Sequence, residues 1–133
     1  MILVDTNVLL DVVTRNPVWV EWSKRQLDAA ALRDQLAINQ VVYAELSAGF
    51  TTIEQVEEML GLVSITIVPM PRPALFMAGK VFQEYRRRGG SRTGVLPDFF
   101  IGAQAAVLGS TLITRDAKRY RTYFPTVDLI APE

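Results

Sequence analysis

Four carboxylates occur in sequence contexts that are unusual for acids on a solvated surface: Asp5, Glu45, Asp98 and Asp116. Asp5 follows the apolar run at residues 2–4, and Asp116 follows a second such run at residues 111–114. Both acids are expected at the carboxyl ends of strands, where open α/β sheets form their ligand crevice. Asp5 could equally be a turn or capping residue, and Asp116 taken alone is typical of a surface acid.

The other two acids are predicted on helices. Glu45 is expected in the middle of a buried helical face that includes Leu46, where a carboxylate is costly unless it pairs with an arginine or binds a cation. Asp98 opens a helix that is apolar nearly all round, and small residues on its face would let another element approach closely. Its place in the first turn also suits the helix dipole. Asp11 lies on another face of its helix from Asp5 and is expected to be solvated.

The composition restricts the chemistry, because the chain contains no histidine and no cysteine. This excludes a thiol nucleophile, a zinc site built on sulfur and the usual general base. Carboxylates that converge in one crevice repel one another unless they are protonated or bound to metal. Hard oxygen ligands select Mg²⁺ or Mn²⁺, and Mg²⁺ pairs with phosphate oxygens. Phosphodiester hydrolysis, with metal-activated water replacing a histidine base, is the predicted reaction.

The elements that must position these acids alternate between strands and helices. Strands are predicted at residues 2–4, 36–38, 64–68, 111–114 and 126–130. Helices are predicted at residues 8–14, 17–34, 40–48, 53–60, 73–88 and 98–108. Thr6 or Asn7 is expected to cap the first helix and Asn39 the third, while residues 51–54 resemble a capping box and Gly61 is expected to end the fourth. This order predicts one α/β domain over residues 1–133, with a central parallel sheet flanked by helices on both faces.

Charge and hydropathy set further bounds. The 14 Lys and Arg residues balance the 14 Asp and Glu residues, which argues against a protein that binds nucleic acid by bulk charge alone. No apolar run reaches the ~18 residues of a membrane span. The N-terminus lacks the basic region and cleavage site of a signal peptide. A cytoplasmic protein with no membrane contact is expected.

The acids lie in blocks that resemble those of PIN-domain ribonucleases, in particular the toxin components of VapBC-type toxin–antitoxin pairs. The blocks are Val4-Asp5-Thr6-Asn7, Ala44-Glu45-Leu46, Pro97-Asp98-Phe99 and Leu112-Ile113-Thr114-Arg115-Asp116. Asp-Thr-Asn alone is a weak signal, but the four blocks occur in order and at suitable spacing over essentially the whole chain. Residues 49–94 carry little of the family's signature.

The resemblance implies a metal-dependent endoribonuclease that cuts RNA to leave a 5′-phosphate. It implies that the catalytic residues, which also bind one or two Mg²⁺ or Mn²⁺ ions, are Asp5, Glu45, Asp98 and Asp116. Thr6, Asn7 and Thr114 match positions that support these acids through hydrogen bonds. As a toxin, the protein would be held inactive by a cognate antitoxin protein, and a homodimer is expected.

Two further groups of residues suggest binding surfaces. Candidate RNA contacts are Arg86, Arg87, Arg88 and Arg92, although basic residues at a helix end also stabilise its dipole. A second candidate surface around Asp116 comprises Arg115, Lys118, Arg119 and Arg121. Trp19 and Trp22 are expected to pack in the core, with an interface to a second subunit or an antitoxin helix as the alternative.

Other functions are consistent with parts of this pattern. A receiver-like phosphoacceptor domain also gathers acids around Mg²⁺, but it needs an early acidic pair and a lysine at the end of a late strand. Residues 1–4 supply no such pair, and Lys118 is poorly placed. A non-catalytic PIN-like interaction module would be expected to lose some of the acids. A PIN-domain ribonuclease of RNA processing, with no toxin role, is the remaining alternative.

Overall fold

The computed structural model describes all 133 residues, and its centre is a five-stranded parallel sheet. The strands are β1 (Ile2–Val4), β2 (Leu36–Ile38), β3 (Ile65–Ile67), β4 (Thr111–Ile113) and β5 (Leu129–Ile130). Their order across the sheet is β3-β2-β1-β4-β5, and every neighbouring pair is parallel. The predicted α/β class and parallel sheet are therefore confirmed.

Seven helices connect and cover the strands. They are α1 (Thr6–Val13), α2 (Val20–Ala31), α3 (Gln40–Ser47), α4 (Ile53–Leu62), α5 (Arg72–Arg87), α6 (Leu96–Leu108) and α7 (Ala117–Tyr123). All three residues of β1 are at most 3 % exposed. Because successive side chains of a strand point to opposite faces, both faces of the sheet are covered at its centre. None of the helices combines the length and apolar character that a membrane crossing requires.

The register of the central strands decides where the first and last thirds of the chain meet. Val4 of β1 lies opposite Ile113 of β4, and the backbone N–H of Asp5 donates to the carbonyl of Ile113 at 2.9 Å. The two strands therefore end side by side. Residues that follow them, far apart in sequence, become neighbours at the carboxyl edge of the sheet.

The predicted cap at Asn39 is present, but the capping box lies one residue later than the predicted residues 51–54. The side chain of Asn39 accepts a hydrogen bond from the backbone N–H of Val42 at 2.9 Å, as a helix N-cap does. Thr52 and Gln55 form a reciprocal capping box at the start of α4. The predicted stop at Gly61 is wrong, since α4 continues to Leu62 and the chain turns at Ser64, whose φ is 54°.

Several predicted boundaries differ from the structure. The first helix begins at Thr6 with Asp5 as its N-cap residue, and the second covers only Val20–Ala31 of the predicted residues 17–34. Helix α6 begins at Leu96, before the predicted start at residue 98, because Pro97 is accommodated in its first turn. The last strand is confined to Leu129–Ile130. Helix α7 was not predicted, and only one of its residues, Tyr120, is buried.

Candidate active site

Asp5 is a buried carboxylate at the carboxyl end of β1, with 5 % of its surface exposed. Its backbone stands at the N-cap of α1, but its side chain does not cap that helix. The Oδ2 atom instead accepts hydrogen bonds from Thr114 Oγ1 and Tyr120 OH, both at 2.8 Å, and from Asn7 Nδ2 at 3.4 Å. Burial, followed by the charge of Asp98, raises the pKa of Asp5 to about 6, although the hydrogen bonds from Thr114 and Tyr120 oppose this rise.

Asp98 lies in the first turn of α6 and is half-buried. Arg119 Nη1 of α7 donates to its Oδ2 atom in an ion pair. The pKa of Asp98 is nevertheless raised, because burial outweighs the effect of Arg119 and the charges of Glu45 and Asp116 add to the rise. Asp98 thus interacts electrostatically with each of the other three predicted acids, since it also raises the pKa of Asp5.

Glu45 does not lie on a buried face, and this prediction is wrong. The buried stripe of α3 consists only of Val42 and Leu46, while Val41 is half-buried and Gly49 is exposed. Glu45 is about 60–100° around the helix from the two buried residues, so it lies beside the buried stripe and not within it. It is exposed, and its Oε1 atom accepts a hydrogen bond from Thr6 Oγ1 at 2.8 Å.

Asp116 is exposed and follows β4 after two intervening residues. Its backbone N–H donates to Thr114 Oγ1 at 3.1 Å. Thr114 therefore links the two strand-end acids, since the same hydroxyl donates to Asp5. The structure places Thr6, Asn7 and Thr114 in hydrogen bonds with residues of this group, and their role in supporting catalysis stays a prediction.

The donor set fits a hard divalent cation. It consists of carboxylates backed by hydroxyl groups, without sulfur or imidazole, and the mutual repulsion around Asp98 is of the kind that a bound cation relieves. No three acidic side chains converge into a closed set of ligands. Arg119 donates a hydrogen bond to one carboxylate oxygen of Asp98, and Thr6 donates one to a carboxylate oxygen of Glu45. The four acids therefore interact electrostatically around Asp98, but their side chains do not form a set of three or more metal ligands in this structure.

Asp11 is buried rather than solvated, contrary to the prediction. It is 1 % exposed, and its Oδ2 atom accepts hydrogen bonds from Ser23 Oγ at 2.8 Å and from Arg115 Nε at 2.9 Å. The signal in the sequence was its position one helical turn after the buried Val8. The partner that makes its burial tolerable, Arg115, is about a hundred residues away and was not predicted.

Sequence reasoning also missed Tyr120, which donates its hydroxyl to Asp5 and is 1 % exposed. Burial, followed by the charges of Asp5 and Asp98, raises the pKa of Tyr120 well above its usual value, so it remains a donor. Its position one turn after Asp116 could have indicated a shared face, but no helix was predicted there.

Basic residues lie beside the acids, in and next to a surface cleft. A cleft of about 350 Å³ beside the acids is lined by Asp116, Lys118, Arg119, Thr122 and Tyr123. Arg88 does not line this cleft but contacts one of its residues, since its guanidinium lies 5.4 Å from the centroid of the Tyr123 ring. Arg86, Arg87 and Arg92 are exposed nearby in the chain.

The two tryptophans are half-buried. Trp22 packs against the core, as predicted. Trp19 does not pack against the core, contrary to the prediction; it makes an edge contact with Trp22 at 6.0 Å between ring centroids and lies beneath the guanidinium of Arg115.

The model of the PIN domain family matches residues 2–125, and the chain therefore belongs to the PIN domain family. PIN domains are generally nucleases, and these nucleases are typically dependent on divalent metal. No curated protein matches the chain significantly in sequence.

Among solved structures, the chain is similar to VapBC2 from Rickettsia felis bound to a DNA fragment from the promoter, with a TM-score of 0.75, 23 % identity and full coverage of both chains. It is also similar to a toxin–antitoxin complex from Klebsiella pneumoniae, with a TM-score of 0.71, 25 % identity and coverage of 100 % of this chain and 98 % of that one. A third neighbour is VapBC-1 from nontypeable Haemophilus influenzae, with a TM-score of 0.70, 19 % identity and 98 % coverage of each chain. Because the first and third structures are only 23 % and 19 % identical to the chain, these two similarities show the fold alone.

Proposed function

We propose that this PIN domain is a Mg²⁺- or Mn²⁺-dependent endoribonuclease that acts as the toxin of a VapBC-type toxin–antitoxin pair. The observation that carries the proposal is the group of carboxylates around Asp98, in which burial and mutual repulsion raise the pKa of both Asp5 and Asp98. Carboxylates with raised pKa values that are grouped in one place are typical of functional sites, and a bound cation would relieve their repulsion. Full-length similarity to chains of toxin–antitoxin complexes supports the toxin role.

The side chains would divide the work between binding and orientation. Asp5, Glu45, Asp98 and Asp116 would hold the metal. Thr114 and Tyr120 fix the orientation of Asp5, and Thr6 does the same for Glu45. A bound divalent ion would supply water of lowered pKa and neutralise charge on the scissile phosphate.

RNA would reach these acids along a basic surface. Lys118 and Arg119 line the cleft next to Asp116, where they would face phosphate oxygens. Arg88 adjoins the same cleft through Tyr123, so the tract formed by Arg86, Arg87, Arg88 and Arg92 would lead into it. With no net charge on the whole chain, binding would depend on this local concentration of arginine and lysine.

The proposal includes a cognate antitoxin, a homodimer and a cytoplasmic location. An apolar groove of about 660 Å³ lies where the end of α1 meets α4, and its lining includes Val12, Phe50, Met59 and Leu62. An amphipathic segment of an antitoxin would bury its apolar face in such a groove. Phe76 of α5 is 69 % exposed beside the partly exposed Leu75, which favours this helix as a contact between subunits.

The experiment is incubation of the purified protein with total RNA in the presence of Mn²⁺ or EDTA. Wild type should cleave RNA only with metal, and expression without an antitoxin should arrest growth. Asp5→Asn and Asp98→Asn should each abolish cleavage and growth arrest while the protein remains folded. Asp28→Asn, which changes an exposed acid of α2, should retain both activities. Cleavage by both site variants would refute the proposed site.

A further inference from the structure

Asp11 is a buried carboxylate that the proposed reaction does not use. It lies on α1, and its Oδ2 atom accepts hydrogen bonds from Ser23 of α2 and from Arg115 in the turn after β4. One carboxylate oxygen thus joins two helices to the turn that carries Asp116. Loss of Arg115 would leave the buried carboxylate with Ser23 but without its ion-pair partner, which is strongly unfavourable, so this contact should persist throughout the folded state.

Arg115 is held at three points. Its Nε atom donates to Asp11 at 2.9 Å, and its guanidinium lies 5.7 Å from the centroid of the Trp19 ring. Its backbone N–H donates to Asn7 Oδ1 at 3.4 Å. The side chain is 31 % exposed, so most of it is withdrawn from solvent. The side-chain contacts hold the guanidinium against Asp11 and the Trp19 ring.

Both neighbours of Arg115 in the chain belong to the candidate site. Thr114 donates to Asp5 and accepts from the backbone N–H of Asp116. The carboxylate of Asp116 makes no hydrogen bond or ion pair of its own. The position of this carboxylate relative to Asp5 and Asp98 is therefore set by the backbone of the turn, and the turn is anchored by Arg115.

We propose that the Asp11–Arg115 pair positions the turn after β4 so that Asp116 can complete the metal site. In this role Arg115 is a positioning residue and not an RNA contact. The inference rests on the proposed function, because it takes Asp116 as a metal ligand.

The loss of the charge of Arg115 and the loss of its anchoring contacts predict opposite effects of Arg115→Met on metal binding. The substitution removes a positive charge beside a group of carboxylates, so an effect of charge alone would make Mn²⁺ bind more tightly. Loss of the anchor would weaken binding instead. A reduction in affinity of about 10–100-fold is typical when a residue that orients a metal ligand is removed.

A double variant separates this role from charge and from folding. Asp11→Asn combined with Arg115→Met leaves the net charge unchanged and leaves no unpaired carboxylate in the interior. It should be more stable than Arg115→Met alone and should still bind Mn²⁺ more weakly than wild type. If the single variant does not fold, the double variant carries the test.

Two controls complete the set. Arg121→Met removes an exposed arginine of α7 that makes no ion pair, and it should bind Mn²⁺ at least as tightly as wild type. Val56→Ala truncates a buried side chain of α4 away from the turn, so it should lower stability without changing Mn²⁺ affinity. A loss of affinity in the Arg115 variants then cannot be ascribed to lower stability.

Mn²⁺ affinity is obtained from the concentration of free Mn²⁺, measured by electron paramagnetic resonance at a temperature where all variants are folded. The rigidity of the turn is followed by amide hydrogen exchange at residues 115–117. The expected result is weaker binding and faster exchange in the folded Arg115 variants only. Unchanged or tighter binding in those variants, while wild type binds Mn²⁺ and cleaves RNA, would overturn the positioning role alone. Wild type that binds no Mn²⁺ would overturn the proposed function and the positioning role with it.

Discussion

The pKa of Asp5 results from opposing contacts of one side chain. Burial and the charge of Asp98 disfavour its ionised form, while the hydroxyl groups of Thr114 and Tyr120 stabilise it. The balance leaves the pKa at about 6 instead of 3.8. The carboxylate is therefore ionised near neutral pH and available to a cation, but at a cost in stability to the folded protein without metal.

This cost predicts how stability changes with pH in the presence of EDTA. Between pH 3.8 and about pH 6, folded Asp5 keeps a proton that the unfolded chain has released. The resulting stabilisation is fully present below the unfolded pKa and is lost as pH rises through the folded pKa. The raised pKa of Asp98 acts in the same direction. Asp5→Asn removes one titrating group, so its free energy of unfolding should rise relative to wild type as pH rises across this window.

The measurement is denaturant unfolding of both proteins at several pH values from 4 to 7, with Asp28→Asn as the control for loss of an exposed acid. The control should follow wild type at every pH. A constant difference between Asp5→Asn and wild type across the window would contradict the raised pKa of Asp5.

At the scale of elements, the close approach of α6 to the end of α7 determines how Asp98 faces Arg119 and Tyr120. Gly102 of α6 makes this approach possible, because a Cβ atom there would lie 2.5 Å from ring carbons of Phe124. Phe124 is only 3 % exposed, so its ring has little room to move.

Gly102→Ala should therefore destabilise the protein by about 1–3 kcal/mol, the usual cost of forcing extra volume into a packed interior. Gly79→Ala on the exposed face of α5 meets nothing within 4 Å and is the matched control. It should be neutral or stabilising by up to about 1 kcal/mol, because alanine favours helix over glycine. Chemical denaturation measures both, and equal stability of the two variants would contradict the close contact.

The strands and the cap at Asn39 could be predicted, and the capping box to within one residue, because their signals are local. Short apolar runs mark β1, β2 and β4, and Asn39 and Thr52 cap helices through bonds within three residues. Helix α7 escaped prediction because its stability comes from tertiary contact. Six of its seven residues are not buried. The seventh, Tyr120, attaches the helix to the domain through a hydrogen bond from its hydroxyl to Asp5, which is 115 residues away in sequence.

The candidate site was predictable in its acids and not in their surroundings. Asp5 and Asp116 could be placed at strand ends because parallel strands end at one edge of a sheet. Asp11 was predicted to be exposed but is buried, and Glu45 was predicted to be buried but is exposed. Both errors arise because burial depends on what packs against one side of a short helix. Arg115 illustrates the difficulty, because its partner is 104 residues away.

The helix end at Arg86–Arg88 leads to a prediction about RNA binding. Replacing Arg86, Arg87 and Arg88 with alanine should weaken binding of single-stranded RNA and flatten its salt dependence, by about 0.7 in logarithmic slope for each lost phosphate contact. The measurement uses the Asp5→Asn background so that RNA is not cut. Mn²⁺ affinity, measured separately with intact Asp5, should change little.

The matched control replaces Arg25, Arg33 and Arg72, which are exposed on other parts of the surface. It removes the same charge and should leave the salt slope close to that of the parent. Equal slopes for the two triple variants would place the RNA contact elsewhere, with Lys118 and Arg119 of the cleft as the next candidates.

On the scale of the whole molecule, the fold gathers acids from both ends and the middle of the chain at one edge of the sheet. Arg119 only partly compensates the charge of Asp98, since burial and the neighbouring acids still leave the pKa of Asp98 raised. The folded protein without metal is therefore less stable than it would be with a neutral side chain at this position. Metal binding should return that stability, because a ligand that binds only the folded state stabilises it.

Asp98→Asn tests this balance without knowledge of the RNA substrate. In EDTA the variant should melt at the same temperature as wild type or higher. A neutral side chain avoids the cost of burying a charge and the repulsion from the other acids, and together these outweigh the lost ion pair with Arg119. Mn²⁺ at a hundredfold excess over its dissociation constant should stabilise wild type by about 2.7 kcal/mol. The variant should gain much less, because it has lost a ligand and a charge. Thermal melts of both proteins in EDTA and in Mn²⁺ measure all four states. A variant that melts well below wild type in EDTA would make the ion pair with Arg119 the main role of Asp98, and equal gains from Mn²⁺ would remove Asp98 from the metal site.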